Sequence, residues 1–143
     1  MRVTSLVATI VAFTATLAIP TAGATPAESC DLGFPEEAPT VVAPGIYAVV
    51  WADCTIPPDR HVMRVSVEKR GADGKWRAAP RVDSGRVDDP SIPNPRVTYR
   101  AEVLCSPGYW RITANASGNL RGVPFNFTDH SGSRVVTSDD CRG

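Results

Sequence analysis

Asp129-His130-Ser131 brings together the three residue types of a nucleophilic relay. Such a relay needs the imidazole to reach the hydroxyl while the carboxylate orients it from the far side of the ring. Three consecutive residues ahead of Gly132 cannot aim their side chains at one another in that way, so the tripeptide reads as a polar turn. His61 opens a run whose other odd-numbered positions are apolar, and it reads as a capping or partly buried histidine rather than a general base. Carboxylates occur side by side at Glu36-Glu37, Asp88-Asp89 and Asp139-Asp140. Hydrolysis of a glycosidic bond needs two carboxyls facing each other across a cleft, which a small domain has little material to build. Asp83, Asp88, Asp89 and Asn94 offer oxygen atoms from one loop, but the spaced acids and central glycine of a calcium loop are missing. No glycine-rich phosphate loop follows a strand. These residues therefore predict no catalytic site, no bound metal and no cofactor, and the chain reads as a protein without enzymatic activity.

Cysteine chemistry is more informative. Cys30, Cys54, Cys105 and Cys141 are separated by 24, 51 and 36 residues, with no C-x-x-C pair and only two histidines in the chain. Zinc spacing is absent, and an even count reads as two disulfides in an oxidising compartment. The N-terminus agrees with export. Arg2 precedes an apolar stretch from Val3 to Ile19, and Ala22-Gly23-Ala24 places small residues where a signal peptidase reads them. Residues 1–24 are expected to be a signal peptide, and residues 25–143 a secreted domain. The apolar stretch contains Thr4, Ser5, Thr9, Thr14 and Thr16 and falls short of the roughly 20 apolar residues that span a bilayer.

The full chain carries 15 basic and 15 acidic side chains in 143 residues. Loss of Arg2 leaves 14 against 15, a net charge of −1. Neutrality excludes a nucleic-acid binder that works by neutralising phosphates. No second hydrophobic span follows the first, so no membrane span is expected after cleavage. The length suits a single domain.

The elements that would position any site are strands. Met63, Val65 and Val67 alternate with Arg64, Ser66 and Glu68, a period of two with one dry face and one wet face. Val97 to Cys105 and Trp110 to Ala116 alternate in the same way. Further strands are expected at Ile46 to Cys54, Lys75 to Ala79, Val123 to Thr128 and Arg134 to Cys141, with an edge at Thr40 to Ala43. Gly71-Ala72-Asp73-Gly74 and Ser106-Pro107-Gly108 read as hairpin turns, and Asp129 to Gly132 as the turn before the last strand. About seven short strands separated by Gly and Pro clusters predict an all-β fold, an antiparallel immunoglobulin-like β-sandwich.

Strand direction then ranks the three possible disulfide pairings. Cys54 and Cys105 end strands that run in opposite senses and fall at opposite poles, beyond the roughly 7 Å that a bridge allows between Cα atoms. Cys30–Cys54 with Cys105–Cys141 is the expected connectivity.

Gly74-Lys75-Trp76, Cys105-Ser106-Pro107-Gly108-Tyr109-Trp110-Arg111, Gly122-Val123-Pro124-Phe125-Asn126-Phe127 and a terminal Asp140-Cys141 follow one another in the chain. In this order the motifs resemble those of small secreted four-cysteine actinobacterial β-sandwich proteins. The likeness spans most of the expected mature chain and implies fold and location only, because its motifs are turns, core aromatics and cysteines. A preponderance of 13 Arg over 2 Lys, with abundant Ala, Gly, Pro and Val, fits a GC-rich source.

Binding is the remaining class of function. Trp110 shares a face with Ile112 and Ala114 and reads as core, as do Phe125 and Phe127. The strand Ile46 to Cys54 is apolar on both faces, with Ile46, Ala48, Val50 and Ala52 on one and Tyr47, Val49 and Trp51 on the other. Either the segment Asp31 to Pro44 folds over the Tyr47 and Trp51 face, or that face is a platform for an unknown extracellular protein or polysaccharide. Trp76, beside a hairpin turn, is a lesser candidate, with Ala78 on its side suggesting core or edge packing. The proline-rich loop Pro80 to Pro95 supports an alternative, a protease inhibitor presenting an extended loop. The four cysteines are shared with secreted subtilisin inhibitors, whose close cysteine pairs are not reproduced. Asn115-Ala116-Ser117 and Asn126-Phe127-Thr128 match the glycosylation sequon, a coincidence in a bacterial chain. The expectation is a monomeric, secreted binding or structural domain.

Export and oxidation are checked together by intact-mass spectrometry of the secreted protein. The chain should begin at Thr25 and weigh four hydrogens less than its reduced form; reactive thiols would refute the two bridges.

Overall fold

The computed structural model describes residues 27–143, so the expected signal peptide and its cleavage site lie outside the described residues. Among the described residues the fold is all-β, with ten strands in two antiparallel sheets. Sheet A contains β1 (Cys30–Gly33), β2 (Thr40–Val42), β3 (Gly45–Cys54) and β7 (Val97–Leu104). Sheet B contains β4 (Arg60–Arg70), β5 (Trp76–Ala78), β6 (Asp88–Pro90), β8 (Gly108–Leu120), β9 (Val123–His130) and β10 (Arg134–Val136). The excess over seven strands comes from short edge pieces. β1 and β2 lie end to end along β3, β6 and β5 along β4, and β9 and β10 along β8.

Period-two alternation places the core as expected. Ile46, Ala48, Val50 and Ala52 of β3 and Tyr99, Ala101 and Val103 of β7 face Met63, Val65 and Val67 of β4 and Trp110, Ile112, Ala114 and Ala116 of β8, all buried. Phe125 and Phe127 pack against this core but stay half-buried, because β9 is an outer strand.

The two disulfides have the expected pairing. Cys30 is the cross-strand neighbour of Cys54, and Cys105 joins Cys141 across a Cα separation of 5.4 Å. The direction argument holds, since Gly45 pairs with Leu104 and Ala52 with Val97, which sets Cys54 and Cys105 at opposite ends of the β3–β7 ladder.

Two local expectations are corrected. Gly71 to Gly74 does close the β4–β5 hairpin, but Ser106-Pro107-Gly108 carries the chain from sheet A to sheet B. Strand β8 instead pairs with β9 through a two-residue turn at Arg121 and Gly122, both at positive φ (48° and 76°), the geometry of a primed hairpin turn. The last strand stops at Val136 rather than Cys141. Asp140 accepts hydrogen bonds from the Thr137 amide and hydroxyl, and these turn the chain towards its bridge with Cys105.

His61 is 2% exposed, and neither ring nitrogen has a hydrogen-bond partner among the described residues. Its ring stacks on Tyr99 at 6.4 Å and lies 5.9 Å from Phe125. Burial lowers its pKa below the usual 6.5 and keeps the imidazole neutral. Below pH 6.5 the unfolded chain takes up a proton that the folded chain refuses, so stability present above that pH is lost on acidification until the folded-state pKa is reached. Chemical denaturation between pH 7.5 and pH 5 should show a loss approaching about 1.4 kcal/mol per pH unit within that window. In His61→Leu the slope should disappear, and an unchanged slope would place its origin elsewhere.

Candidate binding surface

Outward-facing residues of sheet A are fixed by the same parity that builds the core. Tyr47, Val49 and Trp51 stand in a row along β3, half-buried and pointing away from sheet B. Segment 31–44 does not fold over them. It lies edge-on beside β3 as β1 and β2, because its backbone donors and acceptors complete the free edge of that strand. Cover comes instead from side chains on the flanking strands.

The Trp51 ring rests on Gly33, its partner across the β1–β3 ladder. A β-carbon at Gly33 would lie 2.6 Å from indole Cε2, so only glycine leaves the ring room to lie flat there. Over the ring sits the Arg96 guanidinium, 4.0 Å from its centroid, which reaches Asp53 at 3.4 Å. At the other end of the row, the Tyr47 hydroxyl meets the Glu102 carboxylate above Gly45. That hydrogen bond and the negative charge raise the phenol pKa above 10 and keep it protonated. Arg100 lies opposite Val49, and with Val42, Tyr47 and Val49 it lines a shallow depression of about 270 Å3. Val42 and Leu104, 59% and 64% exposed, extend the apolar row.

Trp76 does not join this surface. It pairs with Arg70 on β4 and shares the outward face of sheet B with Glu68 and Arg111. The Arg111 guanidinium covers the ring at 4.6 Å and is held by Glu68 at 2.8 Å, with both side chains largely buried. The expected inward side of β5 is also reversed. Ala78 is exposed, and Ala79, just after the strand, packs on the core.

The loop Pro80 to Pro95 is laced to both sheets. Arg81 pairs with Val103, and its guanidinium bonds Asp83 and the carbonyls of Arg86 and Arg100. β6 then pairs with β4, Pro93 accepts from the Cys54 amide, and the Asn94 side chain donates to the Cys54 carbonyl. Ser84 to Val87 remain as its exposed tip. Of the four loop residues that offer oxygen atoms, Asp83 pairs with Arg81 and Asp88 with Arg64, while Asn94 donates its side-chain N–H to the Cys54 carbonyl. Both paired aspartates have lowered pKa values through those guanidinium hydrogen bonds. Among the described residues no group of three His, Cys, Asp or Glu side chains could hold a metal ion, and no helix is long and apolar enough to cross a membrane.

The turn expected at Asp129 to Gly132 starts later: Asp129 and His130 are the last residues of β9, and only residues 131–133 connect it to β10. His130 bonds Thr113 on the outer face of sheet B, while Ser131 pairs through backbone and hydroxyl with Ile112. Asn115 of the first sequon donates to Asn126, Phe127 and Thr128, which ties it to β9.

Comparison with protein-family models, curated proteins and solved structures finds no match to this chain.

Gly33→Ala tests the surface directly. It should shift the Trp51 indole N–H resonance, leave those of Trp76 and Trp110 in place, and cost about 1 kcal/mol of stability. No shift at Trp51 would mean that the ring does not lie on Gly33.

Proposed function

We propose that the chain is an exported, non-enzymatic binding domain that contacts an extracellular protein or polysaccharide through the outward face of sheet A. The observation that carries this reading is the row Tyr47, Val49 and Trp51, held on a rigid central strand and flanked by Arg96 and Arg100. Tyr, Trp and Arg are the side chains that concentrate binding energy at interfaces, and a row on a strand loses little conformational entropy when it is covered. Two disulfides support a role outside the cell, where such bridges persist. The inhibitor alternative rests on the Ser84 to Val87 tip, the part of its loop that is not tied down.

The test is affinity enrichment with the folded domain against cell-wall polymers, extracellular polysaccharides and the secreted proteins of the source culture. A partner captured by the native domain should be lost, by at least about tenfold in affinity, from a Tyr47→Ala, Trp51→Ala double variant of unchanged circular dichroism. It should be kept when Ser84 to Val87 are replaced by glycines. The reverse pattern would favour loop recognition, and absence of any partner would leave a structural role.

A further inference from the structure

At the pole that holds Trp110, the β4–β5 hairpin, the end of β7 and the Ser106 crossover leave a cleft of about 570 Å3 between the sheets. Its volume falls in the range of small-molecule sites. Leu104, Val82, Ala79, Pro80 and the Trp110 indole give it apolar walls. Leu104 and Val82 are 64% and 48% exposed, so apolar surface stands open to water here.

The charged residues that line the cleft are all cations: Lys69, Arg70 and Arg77. Arg77 is neutralised by Asp73, which grips it through two hydrogen bonds. The other two have no carboxylate partner among the described residues. Lys69 Nζ donates to Ser106 Oγ at 2.8 Å and lies 5.3 Å from the Trp110 ring, which leaves two of its three N–H donors for another acceptor. Arg70 donates through Nε to the Gly74 carbonyl at 3.2 Å, and its terminal NH2 groups have no partner among the described residues.

Gly108 helps place the ammonium. A β-carbon there would lie 2.6 Å from Lys69 Cε, and the backbone φ of 146° suits glycine. The missing side chain lets the lysine stem lie across the crossover with its ammonium beside Trp110. This is an apolar slot with two half-satisfied cations at its mouth and no acid in its lining.

We propose that the cleft is a ligand site for a small amphiphile with one anionic head and an aliphatic body. The head sits on Lys69, where charge-assisted hydrogen bonds are the strongest available, with Arg70 at the rim of the cleft, and the body lies along Leu104, Val82 and Trp110. This site contains none of Tyr47, Val49 and Trp51 and meets their row only at Leu104.

Octanoate, octan-1-ol and octyltrimethylammonium are matched probes that differ in head charge, and their binding is read by titration calorimetry and by the Trp110 indole N–H resonance. Octanoate should bind about tenfold more tightly than either of the others and shift the Trp110 signal. Lys69→Gln should bring octanoate to within about threefold of octan-1-ol. Ala79→Phe should fill the slot and abolish binding of all three. The Tyr47→Ala, Trp51→Ala variant should bind octanoate as the native domain does, which keeps this test independent of the partner reading. Equal affinity for the three heads, an unchanged octanoate affinity in Lys69→Gln, shifts centred on Trp51, or no saturable binding would each overturn the proposal.

Discussion

The spacing between the two sheets is set by side-chain size, and the rest of the molecule follows from it. At mid-ladder the inward pairs are small, Ala48 with Ala101 in sheet A and Val65 with Ala114 in sheet B. Twisted sheets that come close at the centre diverge at their corners, where larger side chains must fill the gap. Trp110 and Ile46 do so at one pole, and His61, Tyr99 and Phe125 at the other. Aromatic fillers bring polar atoms into the interior, and those atoms must be satisfied locally. Trp110 donates to the Ser106 carbonyl and the Tyr99 hydroxyl bonds Ser91, while His61 finds no partner among the described residues. The crossover that carries Ser106 and the loop that carries Ser91 are therefore parts of the core.

Closing the sides of the sandwich is the second requirement, because a free strand edge invites pairing with another chain. Here β3 and β4 each meet a pair of short strands, and β8 meets the eight-residue β9 and the short β10, so the edge beside each long strand is broken into two pieces. On one side the break between β1 and β2 meets the break between β9 and β10, where Gly132 lies against the Glu37 carbonyl so closely that a β-carbon would stand 2.7 Å from the oxygen. On the other side the Pro80 to Pro95 loop crosses from β7 to β4 and back, held by Arg81. Each pole also carries one disulfide. With sides and poles engaged, the outward faces of the sheets and the cleft beside Trp110 are the surfaces left for recognition.

Much of this was legible in residue parity. Alternation in Met63 to Val67, Val97 to Cys105 and Trp110 to Ala116 fixed which side chains enter the core, and strand direction fixed the disulfides. Other features depend on partners that a local pattern does not name. Ser106-Pro107-Gly108 has hairpin chemistry, yet the same turn residues serve a crossing between sheets, and only the pairing of β8 with β4 decides the matter. The pair Ala78 and Ala79 offers an apolar residue of either parity, so a three-residue strand could not show that Trp76 faces outward. Arg81, Arg96 and Arg111 look alike among 13 arginines, although one laces a loop and two cover indoles. Segment 31–44 could as well have covered the apolar Tyr47 face, but the unpaired backbone of β3 needed a neighbour more, and glycine at 33 let the indole settle over that neighbour.

All three tryptophans carry a cation, and the strength of the second anchor on that cation separates them. A cation over an exposed ring contributes about 0.5–1 kcal/mol, so the ring's availability turns on what else holds the cation in place. Arg111 is locked over Trp76 by a largely buried ion pair with Glu68 at 2.8 Å. Lys69 is held near Trp110 by Ser106, and that indole is already core. Arg96 has only an exposed contact to Asp53 at 3.4 Å, a kind of pair worth little in water. Displacing it exposes Trp51 in line with Val49 and Tyr47 and frees a guanidinium to engage whatever arrives. Of the two outward indoles, Trp51 is thus the one whose cover a partner can exchange for its own contacts at small cost, which is why the outward face of sheet A rather than that of sheet B carries the binding proposal.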